Sequence, residues 1–368
     1  MGAARRPHVY PDLPLRVVVD LPRVRTGAAL AVPALVVVVV LIAGASLGCG
    51  AQEVHKTSAL RRVQTIKLPG VEGRIDHLAA NLEDQRLFVA ALENDTLEVV
   101  DLKTGERIDQ IEGLQEPQGV AYVPASHKLI VTNGGGGTAD IYDAQSLRRE
   151  DEVSFGPDPD NVRYDPATDR AYIGYGEGSG AALGVLDLKT GTKVADIKLS
   201  GHPESFQLEK NGDRIFVNVP DSGAVEVVNR KEGTMVATWP IKGASENFPM
   251  ALDEADHRLF VGTRSPARLL VLNTETGKTV ANLGSVGDAD DIFYDAKVKR
   301  IYVSGGAGAI RVFAQKAVNH YEALGEVSTA EGARTSLFVP ESRKLYLAVP
   351  DYGGQEPAIR IYKADAGG

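Results

Sequence analysis

Four carboxylates in this sequence stand at equivalent places. Asp76, Asp160, Glu204 and Asp290 each lie ten residues before a basic residue that opens a short apolar segment: Arg86, Arg170, Arg214 and Arg300. The same count from Lys128, Arg258 and Lys344 gives Gln118, Phe248 and Arg334. Adjacent positions add His77, Asn161, Ser205, Asn247, Asp291 and Thr335, with Arg74, Asp158, His202, Glu246 and Asp288 just outside. If the fold brings these positions together, like charges converge, which is costly unless a cation, a proton or an arginine offsets them. Hard divalent cations such as Ca²⁺ favour carboxylate and amide oxygens, so Asp160, Glu204 and Asp290 are candidate metal ligands. A cationic or polyhydroxylated ligand would use the same groups. Arg74 and Arg334 offer the alternative of balancing the acids with no ligand.

Other chemistry is poorly supplied. The seven histidines are scattered with no His-x-x-x-His pair, and only His77 and His202 fall near the acidic positions. Cys49 is the single cysteine, which allows no intramolecular disulfide, no Cys-x-x-Cys redox pair and no haem attachment. The Gly-rich stretches 133–137 and 174–180 open no helix and are not followed by Gly-Lys-Ser/Thr, so they are not phosphate loops. No nucleophile can be named. Beyond residue 48 the chain carries 35 basic and 47 acidic residues, and nucleic acid is not an expected partner because its binding needs phosphate neutralisation.

The elements that must position these residues come from a repeat. The basic-apolar tetrapeptide recurs at Arg86, Lys128, Arg170, Arg214, Arg258, Arg300 and Lys344, at steps of 42, 42, 44, 44, 42 and 44 residues. Each copy reads as a strand, a polar turn, the marker strand, a Gly-rich loop, a third strand, and a turn into a fourth. That last turn is 101–105 (Asp-Leu-Lys-Thr-Gly), echoed at 187–191 and 273–277 (Asn-Thr-Glu-Thr-Gly), where Asp or Asn starts the turn and Gly takes its positive-φ end. Four antiparallel strands every 40–45 residues predict an all-β, seven-bladed β-propeller over 62–368. Its last copy ends on a third strand, 359–362, and the unclaimed segment 62–68 is expected to complete that blade and close the ring. In such a ring the acidic positions surround the mouth of the central channel.

The marker strand, Gly-rich loop and Asp-Leu-Lys-Thr-Gly turn together resemble the YVTN-type (YncE-like) propeller repeat family, over about residues 62–363. The Trp-Asp signature of WD repeats is missing, since the one tryptophan is Trp239, followed by Pro240. The resemblance implies an extracytoplasmic propeller, many of whose relatives have no assigned activity. The leading expectation is a non-enzymatic binding module that shows its channel-side loops to a protein, a glycan or a small ligand. The alternative is a divalent-metal-dependent hydrolase: gluconolactonase-type propellers hold a cation at the channel with Glu, Asp and Asn, and Glu204, Asn161, Asn247 and Asp290 match in residue type.

Upstream, residues 26–52 carry no charge, and 28–45 is an apolar run interrupted by Pro33, preceded by Arg23 and Arg25. This is the order of an export signal, near the length of a membrane anchor. Ser46-Leu47-Gly48-Cys49 resembles the lipobox of bacterial lipoproteins, with Ser46 where that pattern usually has Leu. Residues 1–49 are thus expected to be a signal, lipoprotein or anchor segment, with Cys49 as the lipidation site, 50–61 as a linker, and the propeller on the cell envelope.

Overall fold

A computed structural model describes residues 57–365. Among them, 28 strands form seven four-stranded antiparallel sheets, and helix is limited to three single-turn 3₁₀ segments. All seven marker residues open the second strand of their sheet, as in Arg86–Ala91 and Arg170–Tyr175. In six of the sheets the inner strand, such as Leu78–Asn81 or Pro117–Val123, is followed outward in sequence order by the second, third and fourth strands.

The pattern of burial explains the repeat's composition. Successive side chains of a strand point to opposite faces, yet Leu87, Phe88 and Val89 are all fully buried, because a sheet lies against each face of this one. Three consecutive apolar residues are therefore needed where a one-sided sheet would alternate. The aromatic at the third marker position recurs as Phe88, Tyr172, Phe216, Phe260, Tyr302 and Tyr346, each at most 2% exposed. Burying one such ring contributes roughly 1.5–3 kcal/mol. Outer strands such as Glu106–Glu112 bury nothing completely and are correspondingly polar.

Apolar side chains fall into seven clusters, and each spans one pair of adjacent sheets. One of them joins Val339, Tyr346 and Ile361 of the seventh sheet to Leu78 and Val89 of the first. The molecule is a seven-bladed β-propeller. In blade 7 the outermost strand is Leu60–Lys67, antiparallel to Ala358–Ala364, with Leu60 opposite Ala364 and Lys67 opposite Ala358.

The charge of the marker also has a cause. Arg86 of blade 1 donates to the carbonyls of Ala144 and Gln145 in blade 2, at 2.9 and 3.0 Å. Arg214 of blade 4 reaches Thr274 O of blade 5, and Arg258 of blade 5 reaches Asn319 Oδ1 of blade 6. In these blades the guanidinium ties its own sheet to a turn of the next.

Among the described residues no helix is long and apolar enough to cross a membrane. Cys49, the apolar run and the expected signal segment lie outside the described residues.

Candidate functional site

Between a fourth strand and the next inner strand the chain must turn sharply at the centre of the ring. Twelve residues before the marker, Glu116, Asp158, Glu246 and Asp288 hold left-handed φ angles of 52°, 51°, 58° and 52°. Such conformations cost about 1–3 kcal/mol each and persist only where the surroundings enforce them. The Gly-rich loops supply the space. A Cβ on Gly134 would lie 2.1 Å from Gln118 Nε2 and 2.9 Å from Asp158 Oδ1, and one on Gly306 would lie 2.0 Å from Asp288 Oδ2.

The inner strands that follow bring residues of five blades around one cavity of about 20 Å³ at the channel mouth: Arg74, Asp76, His77, Asp160, Asn161, Glu204, Ser205, Phe248 and Asp290. That volume suits a single water-sized guest. Eight of these residues, all but Ser205, are ligand-site candidates from the sequence, and Gln118, Asn247, Asp291 and Arg334 complete that set of twelve. Arg334 stands beside them, its Nε 3.4 Å from Asp290 Oδ2, with Nη1 donating to both oxygens of Asp288 at 3.0 and 2.9 Å.

The other three are placed elsewhere. Gln118 donates to Asp158 Oδ1 at 2.6 Å outside the cavity. Asn247 is fully buried in the contact between blades 4 and 5, donating to Asn218 Oδ1 at 3.0 Å and Ala224 O at 2.9 Å, which is a packing role. Asp291 faces the channel below the mouth and accepts from Ser336 N at 2.6 Å.

Arginines compensate the acids. Arg74 donates to Asp76 Oδ2 at 2.8 Å, and the charge of Asp76 raises its pKa beyond the loss from burial. Arg264 donates from Nη2 to Asp290 Oδ1 at 2.6 Å and stacks with its guanidinium carbon 3.9 Å from the centroid of Phe248. Burial would push Asp290 upward, but Arg264, Arg74 and Arg334 outweigh it and hold this carboxyl below its ordinary value. Asp160 and Glu204 behave differently. Burial, reinforced by Asp76 and Glu204 and opposed by His77, raises Asp160 to about 7. Burial and the charge of Asp290, opposed by Arg264, raise Glu204 to about 8. Near neutral pH the mouth therefore mixes the ionised Asp290 with Glu204, which holds its proton, and Asp160, which is midway through its titration.

Two polar atoms of this cluster are buried with no protein partner: Asp160 Oδ1 and Arg74 Nε. His77 Nε2 stands 3.8 Å from Asp160 Oδ1 and 3.7 Å from Asp76 Oδ1, beyond hydrogen-bonding range of both. A metal fits this set poorly. Both Asp290 oxygens face guanidinium groups, Asn161 Oδ1 accepts from Arg163 Nη2 at 3.1 Å, and Asn247 is turned into the blade contact. Among the described residues no three His, Cys, Asp or Glu side chains are grouped to hold a metal ion.

Arg264 and Arg163 were not among the sequence candidates. Arg264 lies six residues after its marker, where other copies have Gly134, Gly176 and Gly306, so comparing that position across copies would have found it. Arg163 lies seven before its marker, where the other copies have Ala79, Ala121, Gln207, Ala251, Phe293 and Leu337. This layer lines the channel below the mouth, a space of about 680 Å³ walled by the inner strands of all seven blades. Above the mouth, a pocket of about 360 Å³ shares Arg74 with the small cavity and includes Arg334, Glu93, Glu331, Asp351 and Tyr352, the last 53% exposed.

No family model and no curated protein matches the chain. Solved structures resemble it in fold. A chain of hydrazine synthase from Kuenenia stuttgartiensis superposes with a TM-score of 0.70 at 17% identity, covering 80% of this chain and 97% of that one. The WD40 repeats of RRP9 give 0.71 at 11% identity, covering 85% and 100%. A chain of the mitotic checkpoint complex gives 0.70 at 13%, covering 84% and 93%. Identities this low carry the propeller architecture and nothing about ligand or activity.

Proposed function

We propose that this chain is a non-enzymatic binding module of the cell envelope, a YVTN-type (YncE-like) propeller whose loop face takes a glycan or small polyhydroxylated ligand at the channel mouth. The observation that carries the reading is the pair of buried, unpartnered atoms Asp160 Oδ1 and Arg74 Nε, one acceptor and one donor, at the same cavity. Buried polar groups normally find a partner, and a hydroxyl both donates and accepts. Glu204, its pKa raised to about 8, adds a donor, and Tyr352 offers an exposed ring above for a sugar face. The envelope part of the proposal rests on the uncharged run 26–52 and on Cys49 as a lipidation site.

The test is saturation-transfer NMR on the full chain with glucose, N-acetylglucosamine and their short oligomers. Transfer that is lost in Asp160→Asn and in Arg74→Met supports the reading. Absence of transfer from every sugar, or transfer unaffected by both changes, sinks it, and a protein partner would then be sought. The metal-dependent hydrolase reading is less well supported, because guanidinium groups occupy the place of a compensating cation at Asp290. A melting curve unmoved by Ca²⁺ after EDTA treatment is the expected outcome, since a ligand of the folded state raises the midpoint.

A further inference from the structure

Below the mouth, the channel holds a group that the sugar reading leaves unused. Its 680 Å³ falls within the range of drug-sized ligand sites, ~300–1,000 Å³. Ala79, Ala121 and Ala251 keep three sides of the ring open, and Phe293, Leu337 and Met250 make much of the remaining wall apolar. Into this wall the chain sets one guanidinium. Arg163 donates from Nη1 to Val162 O at 2.9 Å and from Nη2 to Asn161 Oδ1 at 3.1 Å, and both acceptors are neutral. A guanidinium has five N–H donors, so three have no protein acceptor among the described residues.

Counter-charge for Arg163 is scarce. The carboxylate in the channel lining is Asp291, which lies beyond ion-pair distance and accepts from Ser336 N at 2.6 Å. Burial raises the Asp291 pKa well above the ordinary carboxylate range, which weakens this side chain as a counter-charge to Arg163. The other titratable groups of the lining are His77 at the mouth end, Lys210, and the phenols of Tyr122, Tyr164 and Tyr294. The channel thus sets a guanidinium fork with free donors beside an apolar stretch of wall.

We propose that the channel is a second binding site, for a monocarboxylate with an apolar body, its carboxylate paired with Arg163 and its body lying along the alanine-lined wall by Phe293 and Leu337. A carboxylate fits the fork through two parallel N–H···O bonds, and one negative charge matches the single guanidinium. Arg163 is absent from the mouth cavity, although His77 and Ser205 border both spaces, so the charge of this second site differs from that of the first.

The experiment is isothermal titration of the full chain with 3-phenylpropionate, with 3-phenylpropan-1-ol and 3-phenylpropylamine as neutral and cationic matches of the same body. The acid should bind at least tenfold more tightly than either. Arg163→Gln should weaken acid binding at least tenfold, and Arg163→Lys should restore part of it. Ala121→Phe, which fills the wall without touching the charge, should also weaken it, while the melting curves of the variants show that the ring is intact. Equal binding of acid and alcohol, indifference to both Arg163→Gln and Ala121→Phe, or no heat from the acid at millimolar concentration would each overturn the proposal.

Discussion

Arg264 crosses from blade 5 to place its Nη2 2.6 Å from Asp290 Oδ1 in blade 6, while its Nε donates to Ala289 O at 3.0 Å. One side chain thereby fixes both the backbone and the carboxylate at the start of the next inner strand. Arg264→Met leaves Asp290 with Arg334 as its nearest cation and should destabilise the protein by about 1–3 kcal/mol. Asp290→Asn in the same background should recover part of that loss, because the buried charge is gone. Urea denaturation measures both steps, and a cost-free Arg264→Met would show that this arginine is not the compensating charge.

The mouth also sets a pH dependence. Asp160 and Glu204 bind protons more tightly folded, at about 7 and 8, than their ordinary values of 3.8 and 4.5. Their contribution is complete at low pH and is lost as pH climbs from those ordinary values through the folded ones. Asp290, held low, acts in the opposite sense and loses its contribution as pH falls. The double variant Asp160→Asn, Glu204→Gln should melt several degrees above the parent at pH 8.5, with the two curves converging toward pH 4. Parallel curves across that window would mean that neither carboxyl holds a proton.

Removing the outermost strand of blade 7 tests the sheet arrangement. Deletion of residues 60–67 strips Leu60 and Ile66, 3% and 1% exposed, from their clusters and bares the edge of Ala358–Ala364. The loss is roughly 3–6 kcal/mol from burial alone. Calorimetry should show a sharp fall in the melting midpoint, and an unchanged melt would contradict the pairing.

Lipidation at Cys49 is checked in cells by feeding a radioactive fatty acid. Label on the full chain that disappears in Cys49→Ala is the expected outcome. A chain without label, or one still labelled in the variant, removes Cys49 as the acceptor.

Much of this architecture was legible because propeller blades repeat with a fixed count. Each marker from Arg86 to Lys344 opens the second strand of its sheet, and counting back from them placed eight candidates around one cavity. The count fixes a position along a strand but not the direction in which a side chain leaves it. Asn247 therefore appeared equivalent to its neighbours, although a bulge between Asn247 and Met250 accompanies its turn into blade 4. Arg264, near the end of the second strand of blade 5, was missed because the count ran only backward from each marker, while this residue lies six places after its own.

The pairing of Leu60 with Ala364 joins segments on the order of 300 residues apart, and closing a flexible loop of that length costs about 5 kcal/mol beyond a constant. That cost is met once, and it changes the connectivity of the whole molecule. An open arc of seven blades has one interface fewer than it has blades, so each interface is indispensable to keeping the arc in one piece. A closed ring has as many interfaces as blades, here one apolar cluster for each. Any single contact can then open without releasing a blade; two must open together before one is free.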